Sequence, residues 1–222
     1  MKLAVFNGSP RGRRSNTRIL LEHFLKGFSE TEGNSHEVYY LNLVKEQDQF
    51  KRAFTEAECV LLAFPLYTDS MPGVVKCFIE SPEPFVSRKS NPDLGFIVQS
   101  GFPEAAHSRM VERYNEKLAS RLGCCYLGTI VKGGAEEIQV QPPQMTAKLF
   151  TRFYKLGRVF GRDGSFDQSL IEQLAKPERL SPIVLLLLQL LRPTGLLNFY
   201  WNRQLKKNGA YSRRFAAPYL EK

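Results

Sequence analysis

The sequence predicts an α/β fold: a five-stranded parallel sheet in the order 2-1-3-4-5, with helices on both faces and a helical C-terminal extension. Three observations carry this. Short apolar runs such as "KLAVFN" (2–7) and "CVLLAF" (59–64) suit strands buried on both faces. The segments between such runs keep their apolar residues at helical spacing. A turn rich in glycine, serine and arginine follows the first strand, and no sixth strand–helix unit follows the fifth. The sheet domain is expected over residues 1–134, and the extension over 135–222, packed on the same domain or at a dimer interface.

Taken in order, strand one (2–7) leads into a helix capped by Ser15 or Asn16, with Ile19, Leu20, Phe24 and Phe28 on its inner face to about Gly33. "HEVYYLNL" (36–43) alternates as strand two, and Phe50 and Phe54 mark a short helix. Strand three (59–64) ends at Pro65, and "MPGVVKCFIES" (71–81) starts a helix with Pro72 near its first turn. "LGFIVQS" (94–100) is strand four, a helix spans 104–122, and "CYLGTIVKGG" (125–134) is strand five. Beyond it, Leu149, Phe153, Leu156 and Phe160 space a helix over 145–160, and "SLIEQLA" (169–175) reads as a shorter one. The most apolar part, "SPIVLLLLQLLRPTGLLNFYW" (181–201), is interrupted by Gln189, Arg192, Pro193 and Gly195. A membrane span needs about 20 unbroken apolar residues, so this reads as a buried or dimer-forming helix pair rather than a shallow membrane contact.

Composition narrows the function. A chain of 222 residues, 43% hydrophobic and 24% charged, buries a proper core without staples. Lys2 leads at once into a strand-like run, without the long apolar region of a secretory leader. Cys59, Cys77, Cys124 and Cys125 form no CxxC pair and have no histidine at metal spacing, so the expectation is no metal and a reducing cytoplasm. Cys59 on a strand and Cys77 on a helix are assigned to packing. The net charge of +9 asks for an anionic partner. The excess is spread, with Arg11, Arg13, Arg14 and Arg18 at one end and Lys206, Lys207, Arg213 and Arg214 at the other, and no nucleic-acid-binding signature accompanies it, which favours an anionic small molecule over nucleic acid.

In a sheet of this order, ligands sit at the carboxyl ends of the strands where the order reverses. That brings together the loops 8–16, 65–73 and 100–107. The first, within "NGSPRGRRSN" (7–16), lacks the order of a triphosphate loop and of G-x-G-x-x-G. It offers the hydroxyls of Ser9, Ser15 and Thr17, the Asn16 amide and a helix N-terminus, groups that attract one phosphate; it also reads as an ordinary capped turn. The second carries Pro65, Leu66, Tyr67, Asp69, Ser70, Met71 and Pro72. It is stiffened at both ends by proline and lined by a ring and a thioether suited to a flat heteroaromatic ligand. Equally, it reads as a rigid turn with Tyr67 on the surface.

Together, "GSPRGRRSNT" (8–17) and "PLYTDSMPGVVKCFIE" (65–80) resemble the phosphate loop and the following loop of the NADPH-dependent FMN reductase family, flavodoxin-like NAD(P)H-dependent oxidoreductases. The resemblance covers residues 1–134, and the tail 199–220 is similar to the endings of some members. It implies that Ser9, Arg11, Ser15, Asn16 and Thr17 hold the FMN phosphate. It implies that Pro65, Leu66, Tyr67, Asp69, Ser70 and Met71 border the ring and ribityl chain, with Ser100, Gly101 and Phe102 on the other side. NAD(P)H would be the co-substrate, a flavin, quinone or similar small molecule the acceptor, and the chain a homodimer. No side chain is assigned as acid or base, because the flavin carries the chemistry. His107 reads first as a solvated loop residue. Asp69 reads either as a helix cap or as a flavin contact, and Arg13 and Arg14 either as partners of an NADPH 2′-phosphate or as solvated charges. The alternatives are a flavodoxin-like electron carrier and a non-enzymatic flavin-binding sensor.

Overall fold

The computed structural model describes residues 1–80, 91–217 and 219, with the side chain of Tyr200 set aside. Strands β1 (Lys2–Asn7), β2 (Ser35–Tyr40), β3 (Cys59–Pro65), β4 (Asp93–Gln99) and β5 (Tyr126–Lys132) pair in the order β2-β1-β3-β4-β5, all parallel. Helices α1 (Asn16–Phe28), α2 (Gln47–Glu56), α3 (Gly73–Glu80) and α4 (Arg109–Leu122) connect or follow them. After β5 come α5 (Pro143–Asp163), α6 (Gln168–Leu174), α7 (Pro182–Leu191) and α8 (Phe199–Lys207). The chain divides into two compact units, Met1–Arg179 and Leu180–Lys222.

In the first unit, the two-residue period of the strands sorts their side chains onto two cores. Ala4, Phe6, Val60, Leu62, Phe64, Phe96 and Val98 face Phe50, Phe54, Val75, Phe78, Val111 and Leu122. Leu3, Val5, Leu61, Ala63, Ile97 and Ile130 face Leu20, Phe24 and Phe28 of α1, Phe153, Leu156 and Phe160 of α5, and Ile171 and Leu174 of α6. Because both faces are covered, β3 is buried at every position, which is why its sequence is a continuous apolar run rather than an alternation. Helices α1 and α5 touch backbone to backbone. A Cβ on Gly157 would stand 1.8 Å from the Phe24 carbonyl oxygen, and one on Gly27 would stand 2.0 Å from that of Tyr154. Only glycine permits so close a crossing.

Several boundaries differ from the sequence expectations, for local reasons. Helix α1 stops at Phe28 rather than near Gly33, since the Ser29 and Glu30 amides close a turn onto Leu25 and Gly27 and Gly33 adopts φ +80. Strand β2 ends at Tyr40, where the Leu43 amide turns back onto the Tyr40 carbonyl. A 3-10 turn at Ala105–Ser108 precedes α4, because the Ala105 and Ala106 amides are drawn to the carbonyls of Pro177 and Glu178 at 3.0 and 3.1 Å. Helix α3 starts at Gly73, and Ser81, its expected last residue, lies outside the described residues. Cys59 is buried, but Cys77 is exposed: it faces outward on α3 and takes no packing role.

The second unit is a helix pair joined by 3-10 turns at Arg192–Thr194 and Leu196–Asn198. Ser181 caps α7 by accepting the Val184 amide, and Pro182 occupies its first turn. No residue of α7 is buried, contrary to the buried alternative expected of this segment. Among the described residues, no helix is long and apolar enough to cross a membrane.

Candidate functional site

At the carboxyl ends of β1, β3 and β4 lies a small cleft of about 20 Å³, lined by Ser9, Arg11, Asn16, Pro65, Leu66, Tyr67, Gln99, Ser100, Gly101 and Glu136. Its first wall is fixed from below by Asn7, a fully buried amide. The Asn7 oxygen accepts the Ser9 amide at 3.0 Å, and its nitrogen donates to Ser15 Oγ at 3.2 Å. Ser15 Oγ in turn donates to the Gly12 carbonyl at 2.7 Å and accepts the Arg18 amide at 3.1 Å. Ser15 is therefore the N-cap of α1, with its one proton already committed. The amides of Asn16 and Thr17, the first two residues of the helix, have no acceptor within it. Thr17 is buried behind the wall, its hydroxyl taking the Gln99 amide at 3.4 Å. Arg13 lies over the Tyr40 ring at 4.7 Å.

The second wall is a tight hairpin. Tyr67 and Ser70 exchange backbone hydrogen bonds of 2.8 and 3.0 Å, and Thr68 and Asp69 between them sit at φ 50 and 58. Two successive left-handed residues make a type I′ turn, unusual without glycine or asparagine. The turn leaves Tyr67 at 39% exposure on the cleft, and it directs Asp69 away from it. Asp69 Oδ1 is 4.0 Å from His107 Nδ1, whose Nε2 is 3.4 Å from Glu104 and whose ring stacks on Phe102 at 4.5 Å. Met71 packs against the first core. Of the residues singled out from sequence, the cleft gathers Ser9, Arg11, Asn16, Pro65, Leu66, Tyr67, Ser100 and Gly101. Asp69 and Phe102 instead meet at His107, and Ser15, Thr17, Ser70 and Met71 support the walls.

The fourth contributor, the loop after β5, was not foreseen. Gly134 and Ala135 donate to Phe102 and Ser100 at 2.8 Å each, while Asn16 Nδ2 donates to the Ala135 and Glu136 carbonyls at 2.8 and 3.1 Å. A Cβ on Gly133 would stand 2.5 Å from the Pro103 carbonyl oxygen, so the pair "GG" at 133–134 was the legible signal of this close approach. The loop delivers Glu136, whose carboxylate oxygens lie 3.0 and 3.3 Å from Arg11 Nη2. Hydrogen bonding to Glu136 raises the Arg11 pKa, with partial burial opposing it. Arg11 thus already holds an anion, an internal one. A cradle of one guanidinium, the Ser9 hydroxyl and a helix N-terminus fits a phosphate, and the half-exposed Tyr67 ring stands on the same cleft, backed by the buried Pro65 and Leu66. Among the described residues, no cluster of side chains is arranged to hold a metal ion.

Residues 1–82 match the family model for the flavodoxin-like fold. The fold is flavodoxin-like. Solved structures superpose well beyond that segment. An NAD(P)H:quinone oxidoreductase from Methanothermobacter marburgensis, 15% identical, aligns over 72% of this chain and 96% of its own, with a TM-score of 0.58. An NADH:FMN oxidoreductase in its apo form, also 15% identical, aligns over 82% and 98%, at 0.56. An FMN-dependent NADH-azoreductase from Bacillus anthracis in complex with FMN, 13% identical, aligns over 72% and 99%, at 0.55. No curated protein matches the sequence.

Proposed function

We propose that this flavodoxin-like chain is an FMN-dependent oxidoreductase of the NADPH-dependent FMN reductase type, taking hydride from NAD(P)H and passing electrons to a quinone, azo compound, flavin or similar small acceptor. The observation that carries it is the cleft itself. Anion-binding groups of the β1–α1 loop and the Tyr67 ring of the β3 loop line one cleft at the switch point of the sheet, where a phosphate and a ring would meet groups suited to each. The solved structures with this fold that are quinone reductases, azoreductases and an NADH:FMN oxidoreductase support the same reading.

In this reading Ser9, Arg11 and the amides of Asn16 and Thr17 bind the phosphate, while Ser15, through its cap, sets the helix end that presents those amides. Pro65, Leu66 and Tyr67 form the surface against which the ring lies, and Ser100 and Gly101 offer backbone and hydroxyl groups to its polar edge. When bound, FMN supplies the two-electron chemistry. The chain orients the ring. Asp69, Ser70, Met71 and Phe102 shape the rim without lining the cleft. The partners are small molecules rather than nucleic acid. We place the protein in the cytoplasm, where its four free cysteines and a pool of NAD(P)H are compatible, and we propose a homodimer, which light scattering of the purified chain tests.

The test of function is anaerobic addition of NADPH to the FMN-loaded protein. Bleaching of the visible flavin bands is the expected result. Bands that persist would identify a carrier or sensor, and a chain that takes up no FMN would remove the reading altogether.

A further inference from the structure

We propose that the C-terminal unit, Leu180–Lys222, docks the protein on an anionic lipid surface. Helix α7 is apolar on every side. Ile183, Val184, Leu185, Leu186 and Leu187 are 79, 38, 46, 57 and 53% exposed. Five consecutive helical positions cover a full turn and more, so no single face is reserved for a neighbour. A stripe on one face would suit a partner helix, whereas an all-round apolar surface is covered by lipid or by engulfment. The helix is roughly 15 Å long, about half the hydrocarbon thickness of a bilayer, so it embeds in one leaflet and does not cross.

Charge selects the occupant. Residues 180–222 contain seven cations, Arg192, Arg203, Lys206, Lys207, Arg213, Arg214 and Lys222, against a single acidic residue, Glu221. Lys206 and Arg214 meet the Tyr211 ring, at 5.0 and 4.1 Å. Arg192 follows α7 directly, and Phe199 and Trp201 are exposed at 70 and 63%. An apolar helix is thus followed by cations and aromatic residues, Arg192 at its end and Phe199 and Trp201 beside Arg203, Lys206 and Lys207. These are the groups that suit acyl chains, the interface and anionic headgroups. A second copy of the chain would bring the same positive charge to the contact and would be repelled.

Trp201 is the chain's single tryptophan, so its emission reports on this unit alone. The full chain is mixed with vesicles of phosphatidylcholine, or of equal parts phosphatidylcholine and phosphatidylglycerol, and followed by emission and by flotation. We expect a blue shift and co-flotation with the anionic vesicles only. Leu186→Asp, at an exposed position, should abolish both while leaving the far-ultraviolet circular dichroism unchanged. The double variant Lys206→Gln, Lys207→Gln should weaken binding about 30-fold, the factor for two cations worth about 1 kcal/mol each near an anionic leaflet. Equal binding to both kinds of vesicle would overturn the choice of anionic lipid. No binding to either, with self-association that Leu186→Asp abolishes, would replace lipid by a second copy of the chain.

Discussion

Helices α5 and α7 are both rich in large apolar residues, aromatic and aliphatic in α5 and aliphatic in α7, yet they end in opposite environments. In α5 the apolar residues recur at helical spacing, and Phe153, Leu156 and Phe160 are fully buried against α1 and the sheet, with Gly157 admitting the α1 backbone between them. In α7 seven apolar residues run consecutively over 182–188, only Gln189 interrupts them before Leu190 and Leu191, and none is buried. Pattern, not hydrophobicity, decides the partner. A stripe with polar residues elsewhere specifies one packing direction inside the protein, while an unbroken apolar run specifies none, and its surface is left for something outside the unit.

That contrast breaks most severely at Gly157. Gly157→Val drives a side chain into the Phe24 carbonyl, and we expect it to cost about 3 kcal/mol in chemical denaturation, whereas Leu187→Ala on α7 should stay within about 0.5 kcal/mol. Equal costs at the two positions would erase the distinction between the helices. Next in size is the cleft: Ser9→Ala should weaken FMN binding roughly 10- to 100-fold, the range for a hydrogen bond to a charged group, with denaturation little changed. An unaltered dissociation constant would move the phosphate elsewhere.

The structure also shows what sequence could and could not disclose. The strands were legible because burial on two faces leaves short continuous apolar runs between helically spaced segments, and their order because a glycine-rich turn follows the first strand and no sixth unit follows the fifth. The loops after β1 and β3 were legible through their residue types. Glu136 was not. It reaches the cleft only because Gly133 lets its loop lie against Pro103, a tertiary contact between segments that no local pattern connects. Asn7 was passed over for a related reason: it reads as the end of a strand, and its role is visible only once its side chain is seen tying Ser9 to Ser15. Asp69 fell outside the cleft because the type I′ turn, formed without glycine, reverses the chain after Tyr67, and Phe102 lies beyond the Ser100 hydroxyl and Gly134 amide that hold its carbonyl.

A smaller effect follows from Glu136. Its carboxylate competes with any incoming anion for Arg11, so Glu136→Gln should tighten FMN binding by up to about fivefold, the scale of a partly exposed ion pair. Weaker binding would mean that Glu136 organises the cleft rather than opposing the ligand. Smallest in energy, though readily counted, is thiol reactivity. Burial, the largest cause, pushes the Cys59 and Cys124 thiols up to about 12 and about 11, whereas Cys77 and Cys125 are exposed. A raised thiol pKa means less of the reactive thiolate below it. Native protein at pH 8 should therefore give two fast-reacting thiols, and denatured protein four.

The central claim is that the β1–α1 wall holds a phosphate while the β3 loop holds a ring. Titration of the apoprotein with FMN and with riboflavin, which has the same ring and no phosphate, separates the two most directly. FMN should bind at least about 100-fold more tightly, as two or more charge-assisted hydrogen bonds require. Equal affinities would show that Ser9, Arg11 and the start of α1 cradle no phosphate, and would contradict the assignment of the cleft.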